Sequence, residues 1–314
     1  MVGRTRKNSE LLSEFAWEII NKPESMFFLD KDDSDGIDWN GSERDIVIFT
    51  QVLKILEHTQ DLDDEQFLKE CLGEIESLLN HSVLFNGLDS PSIVVSEAHN
   101  GTTPKEHSIN VLKKLRTMGV SSETRVMLRF SALFHDVGKA SCVGLSEEEI
   151  QLILANPASE IHSSYPNHSE ISTLVIQKIR KELLERFPFS KKVLSEDLWS
   201  SLEFVVLYHH LIPNIYLYKI RTLQESAEQI SNLEKSQQLA VLLGLYLLNM
   251  ADVDSNDYYR SCLADNSSSF GKILGAINID LSAEELGILF YIYFEGTSFA
   301  LANNLQLESG SPDK

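Results

Sequence analysis

The sequence predicts an all-α fold. Apolar residues recur at helical spacing over 43–80 and from residue 105 to about 262, and the breaks between these runs fall at Gly and Pro. Composition agrees: 43% of the 314 residues are apolar and 24% are charged, enough to bury a core in one large domain or two small ones.

In chain order, residues 9–22 read as an amphipathic helix with Leu11, Leu12, Phe15, Ala16 and Ile19 on one side. Residues 30–38, DKDDSDGID, read as a solvated charged loop. An EF-hand reading fails there. Counting from Asp30 puts Asp35 where the sharp turn needs Gly, and Gly41 where the bidentate Glu belongs. Helices follow over 43–59 and 64–80, with Asp61, Asp63, Asp64 and Glu65 near the second start, where the helix dipole favours acid. Residues 86–104 are dense in Gly, Pro, Ser and Asn and form a boundary or long loop, with a brief strand at SIVV. Later breaks fall at Gly119, around Gly144, at 156–167, around Pro188 and at Pro213.

The most apolar run, residues 239–252, is too short to span a bilayer and ends in acid, so it reads as a buried core helix. The expected layout is an N-terminal helical region over 1–95, a main domain over 96–265, and a C-terminal helical segment with a polar tail over 266–314.

A formal net charge of −20 repels phosphate backbones and disfavours broad nucleic-acid binding. A small anionic substrate stays compatible, because a metal reverses the local field. Cys71, Cys142 and Cys262 are odd in number and form no CxxC pair, so they read as reduced thiols. The first seven residues are basic, but no long apolar segment follows them. These features predict a soluble, cytoplasmic protein without membrane attachment.

The chemistry centres on SALFHDVGKA, residues 131–140. An imidazole beside a carboxylate offers a nitrogen and an anionic oxygen to a divalent metal. On one continuous helix, Leu128, Ala132, His135, Asp136 and Lys139 share a face with the core. His107 opens the preceding helix above Val111 and Leu115. His168 opens another, above Ile171, Val175 and Ile179. His209 and His210 close a helix whose stripe is Leu202, Val205 and Val206. Asp252 ends the 239–252 helix on its inner face. Asp254 lies about 200° further round, so only one of the two points in. Seven metal-capable side chains thus sit at inward-facing ends of five helices. His58 and His81 read as surface residues, and His99 and His162 carry no assignment.

The order His107, His135-Asp136, Asp252, with HDVGK spelling an HDxGK motif, resembles the HD-domain superfamily of metal-dependent phosphohydrolases. The resemblance covers about residues 96–265. It implies an HD-domain helical bundle with an N-terminal helical extension, in which His107, His135, Asp136 and Asp252 ligate one divalent metal. His168, His209 and His210 resemble the additional ligands of members that hold two or more metals, including the HD-GYP cyclic-dinucleotide phosphodiesterases. Here HHLIPN stands where HHE and a downstream GYP would be, so cyclic di-GMP is not the implied substrate. The spacing of HDVGK, YPNHSE, LYHH and ADVDS also resembles the HD domain accompanying tRNA nucleotidyltransferases. Residues 1–95 show no nucleotidyltransferase fingerprint.

The resemblance implies hydrolysis of a nucleotide or other small phosphate ester by metal-activated water. A mixed His and Asp set suits one or two ions of Mn, Fe, Co, Ni or Zn better than Ca or Mg. Asp136 is the natural bridge between two metals. Lys139 either holds a phosphate oxygen or leaving group as a point charge, or is a solvent-exposed lysine at a helix end. Glu170 sits about 200° from His168 and reads as a surface residue. The competing reading is a regulatory or ligand-binding module with a structural metal and no turnover.

Overall fold

Ser42 and Asp63 start the first two described helices by the same device. Each side chain accepts a backbone N–H three residues on, from Asp45 and Gln66, and so satisfies one orphan donor of the first turn. The resulting helices, α1 (Glu43–His58) and α2 (Asp64–Leu79), match the expected ranges to within a residue. The computed structural model describes residues 42–89, 102–140, 142–143, 168–187, 190–213, 221–256 and 260–309, which form helices and no strand. The expected helix at 9–22, the loop at 30–38, the SIVV strand, His99 and His162 lie outside the described residues.

After α2 come α3 (Val83–Gly87), α4 (Pro104–Lys114) and α5 (Ser122–Phe134), then a single 3₁₀ turn (Val137–Lys139). Next are α6 (His168–Arg186), α7 (Ser190–Val193), α8 (Glu196–Leu207), α9 (Arg221–Ser231) and α10 (Lys235–Asp254). A second 3₁₀ turn (Arg260–Cys262) leads into α11 (Leu263–Ala276) and α12 (Ala283–Ser309). All described residues belong to one compact unit, 39–314. Within it α1 packs against α5 and α6, so the helices before residue 95 share the core that carries the site.

The apolar run at 239–252 is a core helix. Val241, Leu242, Leu245, Tyr246 and Leu248 of α10 are at most 1% exposed. The helix packs on α4, α5 and α8, and Gly244 gives Val205 of α8 the room a Cβ would take. No helix among the described residues is long and apolar enough to cross a membrane.

An aromatic cluster braces the last turn of α5. Phe134 stacks on Phe130 at 4.3 Å and meets Phe49 and Phe85 edge-on at 4.9 and 5.3 Å, while Trp199 meets Phe130 at 5.9 Å. Each such burial contributes roughly 1.5–3 kcal/mol. Together they fix the chain direction where His135 begins.

Asp64 does more than complement a helix dipole. It accepts from Thr117 N at 2.7 Å and pairs with the buried Arg129 at 3.2 Å. Arg129 also donates to the Thr59 and Leu62 carbonyls and lies 3.8 Å over the Phe67 ring. The α1–α2 corner is thereby tied to α5 from behind the site.

Candidate metal centre

His107 is the fourth residue of α4, whose start is pinned by a capping box between Thr103 and Glu106 and by Pro104. His135 and Asp136 do not continue α5, contrary to the expectation of one unbroken helix. The helix ends at Phe134, His135 is its cap, and Asp136 leaves the helical region at φ −108°, ψ 8°. The cause lies at Gly138. Its N–H donates to Ser172 Oγ at 2.8 Å in place of a helix carbonyl. A Cβ there would strike the His168 carbonyl oxygen and sit 2.6 Å from Ser172 N. The chain turns to lay Gly138 on the backbone of α6, and only glycine permits that approach.

His168 is the first residue of α6, as the sequence indicates. His209 and His210 follow α8 in a turn and do not lie within it, because Tyr208 caps the helix and Leu211 N returns to the Tyr208 carbonyl at 2.8 Å. Asp252 sits in the last turn of α10 and faces His107. Asp254 faces elsewhere, buried between Lys114 at 3.4 Å and Arg260 at 2.9 Å. One acid of the two points into the site, and the other is used in a separate ion pair.

Asp136 stands between two groups of ligands. Its Oδ2 is 3.5 Å from His135 Nε2 and 3.7 Å from His107 Nε2, and His107 Nε2 is 2.9 Å from Asp252 Oδ1. Its Oδ1 is 3.1 Å from His168 Nε2 and 3.7 Å from His209 Nε2, and His210 Nε2 is 3.2 Å from His168 Nε2. In each group, His107–His135–Asp252 and Asp136–His168–His209–His210, one donor atom from every residue lies within 4.8 Å of the others. All seven sequence-selected residues are therefore brought together, and they are able to hold a metal ion.

The contacts of the ring nitrogens favour a cation at this place. His135 Nδ1 is 3.0 Å from the Ala132 carbonyl and His209 Nδ1 is 2.6 Å from the Val206 carbonyl. A carbonyl only accepts, so each ring carries a proton on Nδ1, and the neutral His135 ring aims an Nε2 lone pair inward. His135 Nε2 is buried without a hydrogen-bond partner. Lone pairs facing carboxylate oxygens repel unless a cation or a proton lies between them.

Charge states agree with this reading. Burial pulls the His135 imidazole down to about 4 despite the opposing charge of Asp136. Burial, with His209 and His168 beside it, holds His210 well below its ordinary value. Both rings are neutral near pH 7. Burial pushes the two carboxyls up, but neighbours outweigh it: Lys139, His135 and His168 hold Asp136 well below the carboxylate range, and His107 does the same for Asp252.

One alternative falls away and one expectation is corrected. Lys139 is not a solvent-exposed helix-end lysine: its Nζ lies 2.7 Å from Asp136 Oδ2, and its side chain is 11% exposed. Glu170 is not on the surface but 6% exposed. His58 is exposed as expected, and His81 is half-buried beside Arg44. Sequence reasoning missed Ser172, which receives Gly138, and Ser255, whose Oγ lies 3.3 Å from His107 Nδ1. A serine three residues after an inward aspartate at a helix end was the available signal for the second. No protein-family model, curated protein or solved structure was found to match the chain.

Proposed function

We propose that this chain is a metal-dependent phosphohydrolase or phosphodiesterase of the HD superfamily, acting on a nucleotide or another small phosphate ester. The observation that carries the reading is the position of Asp136, one carboxylate with an oxygen towards each of two ligand groups. One or two ions of Mn, Fe, Co, Ni or Zn suit the five imidazoles and two carboxylates better than Ca or Mg. Such an ion supplies a nucleophile from bound water at neutral pH and neutralises phosphoryl charge.

The chain's own residues do the remaining work. His107, His135, His168, His209 and His210 present ring nitrogens, and burial keeps His135 and His210 neutral near pH 7. Asp136 and Asp252 bring the compensating negative charge. Lys139, beside Asp136, is placed to hold a phosphate oxygen or stabilise the leaving group as a point charge. The net charge of −20 favours a small substrate over a polyanion.

The test is a panel of nucleotides, cyclic nucleotides and bis(p-nitrophenyl) phosphate with added Mn. Turnover is expected for at least one member and should be lost in His135→Ala and Asp136→Ala. Bound metal with no turnover across the panel sinks the hydrolase reading in favour of a ligand-binding module with a structural metal.

A further inference from the structure

The large apolar side chains that stand exposed among the described residues all lie on or against α12. They are Met118, Phe290, Tyr291, Phe294 and Leu301, each 41–64% exposed. The last four belong to the helix. Met118 precedes Gly119, where a Cβ would sit 3.6 Å from the Tyr291 ring. Such a concentration of apolar surface marks an interaction face.

The two sides of α12 differ. Leu289, Ile292 and Ala300 face the core, and Gly296 lies where a Cβ would strike the Tyr246 hydroxyl of α10. On the opposite side Gly287, Phe294 and Leu301 recur every seventh residue, with Phe290, Tyr291 and Ser298 between them. Seven residues are close to two helical turns, so the stripe runs along the helix as a coiled-coil seam does. The space beyond Gly287 is open.

The order of sizes along this stripe indicates what covers it. A second α12 laid antiparallel across it, with a twofold axis at Phe294, sets Leu301 against Gly287 of the second copy and Phe290 against Ser298. Large meets small at each of these positions, and the two Phe294 rings meet at the axis. In a parallel pair each residue would face itself, hollow at Gly287 and crowded at Phe290. Area agrees with a dimer. Aromatic side chains present about 150–250 Å² each, so the five exposed residues offer roughly 500 Å² per copy. Two copies bury roughly 1,000 Å² from these residues alone, about what a specific interface needs. Charge does not oppose the pairing. The chain carries −20, but the stripe holds no charged residue. Glu295 borders it one turn from Phe299, and Arg116 lies 3.6 Å over the Phe299 ring.

We infer that the outer face of α12 is a homodimer interface, in which two copies of the chain pair antiparallel about a twofold axis at Phe294. None of the seven ligand residues lies on α12, so this stands independently of the metal-site reading.

The test is the mass of the full-length protein by sedimentation equilibrium up to about 100 μM, which covers micromolar dissociation constants. Wild type should reach twice the chain mass. Phe294→Asp and Leu301→Asp change exposed positions, so they should keep the helical circular dichroism while weakening dimerisation at least about 100-fold. Orientation is read by oxidation of Gly287→Cys, Leu301→Cys and the double variant. The two positions are about 21 Å apart along one helix, so a bond between them has to join two chains. The double variant should give a covalent dimer that neither single variant nor wild type gives, and this readout stands even where an Asp variant fails to fold. A monomeric wild type at the highest concentration overturns the inference, as does a dimer that both folded Asp variants leave intact. Single variants that cross-link as readily as the double one overturn the antiparallel pairing.

Discussion

Asp136→Asn tests the bridge between the two ligand groups. The side chain is 1% exposed and holds Lys139 at 2.7 Å on one oxygen and His168 at 3.1 Å on the other. Asparagine keeps the shape, removes the charge and places an amide where a carboxylate faced imidazole nitrogens. Losing a group that merely orients a ligand costs about 10–100-fold in metal affinity. Asp136 faces both groups directly, so we predict a loss of at least about 100-fold, or about 2.7 kcal/mol. In the metal-free protein Lys139 loses its carboxylate while largely buried, which should cost about 3 kcal/mol of stability. Asp254→Asn is the control: it is buried two residues from Asp252, but its partners are Lys114 and Arg260. It should lower stability while leaving metal affinity within about two-fold, because separate networks perturb independently. Chelator competition and urea denaturation in EDTA measure the two effects. Unchanged Zn affinity in Asp136→Asn, or an equal loss in Asp254→Asn, refutes the reasoning.

Other predictions follow from the same geometry. Because His135 titrates near 4 when folded and near 6.5 when unfolded, the unfolded chain binds the extra proton between those values. Stability of the metal-free protein should therefore fall as pH drops through that window, by roughly 3 kcal/mol from this group; a urea midpoint unchanged between pH 7.5 and 4.5 would contradict it. Asp136 and Asp252, both held low, add a further loss only below the ordinary carboxylate range. Gly138→Ala should destabilise by about 1–3 kcal/mol through overpacking and weaken metal binding by pushing the HDVGK turn off α6; wild-type thermal melts and Zn affinity would argue against the close approach. Asp64→Ala leaves Arg129 without its carboxylate and should cost about 3 kcal/mol while sparing metal affinity, as denaturation and Zn titration would report.

Much of the fold was legible because helical periodicity records which side of a continuous helix faces the core. The starts at Glu43, Asp64 and His168 follow from caps and apolar spacing, and the inward placement of His107, His168 and Asp252 follows from stripes such as Ile171, Val175 and Ile179. Periodicity also separates Asp252 from Asp254, although it does not reveal that Asp254 is buried against Lys114 and Arg260.

What escaped was set by contacts between elements. The break after Phe134 arises where Gly138 meets the α6 backbone, and nothing in the local spacing of HDVGK announces that. Glu170 is buried by tertiary packing, where an isolated amphipathic helix would leave it in water. His209 and His210 occupy a turn whose geometry depends on the Tyr208 cap, and Ser255 meets His107 only once α10 lies beside α4.

The central claim is that these seven side chains hold metal. Elemental analysis of the purified, folded protein tests it most directly. At least one divalent transition metal per chain is expected, with the metal lost in His135→Ala and Asp136→Ala. A folded wild-type protein that contains no metal, and takes none up from Mn, Fe, Co, Ni or Zn, would contradict it.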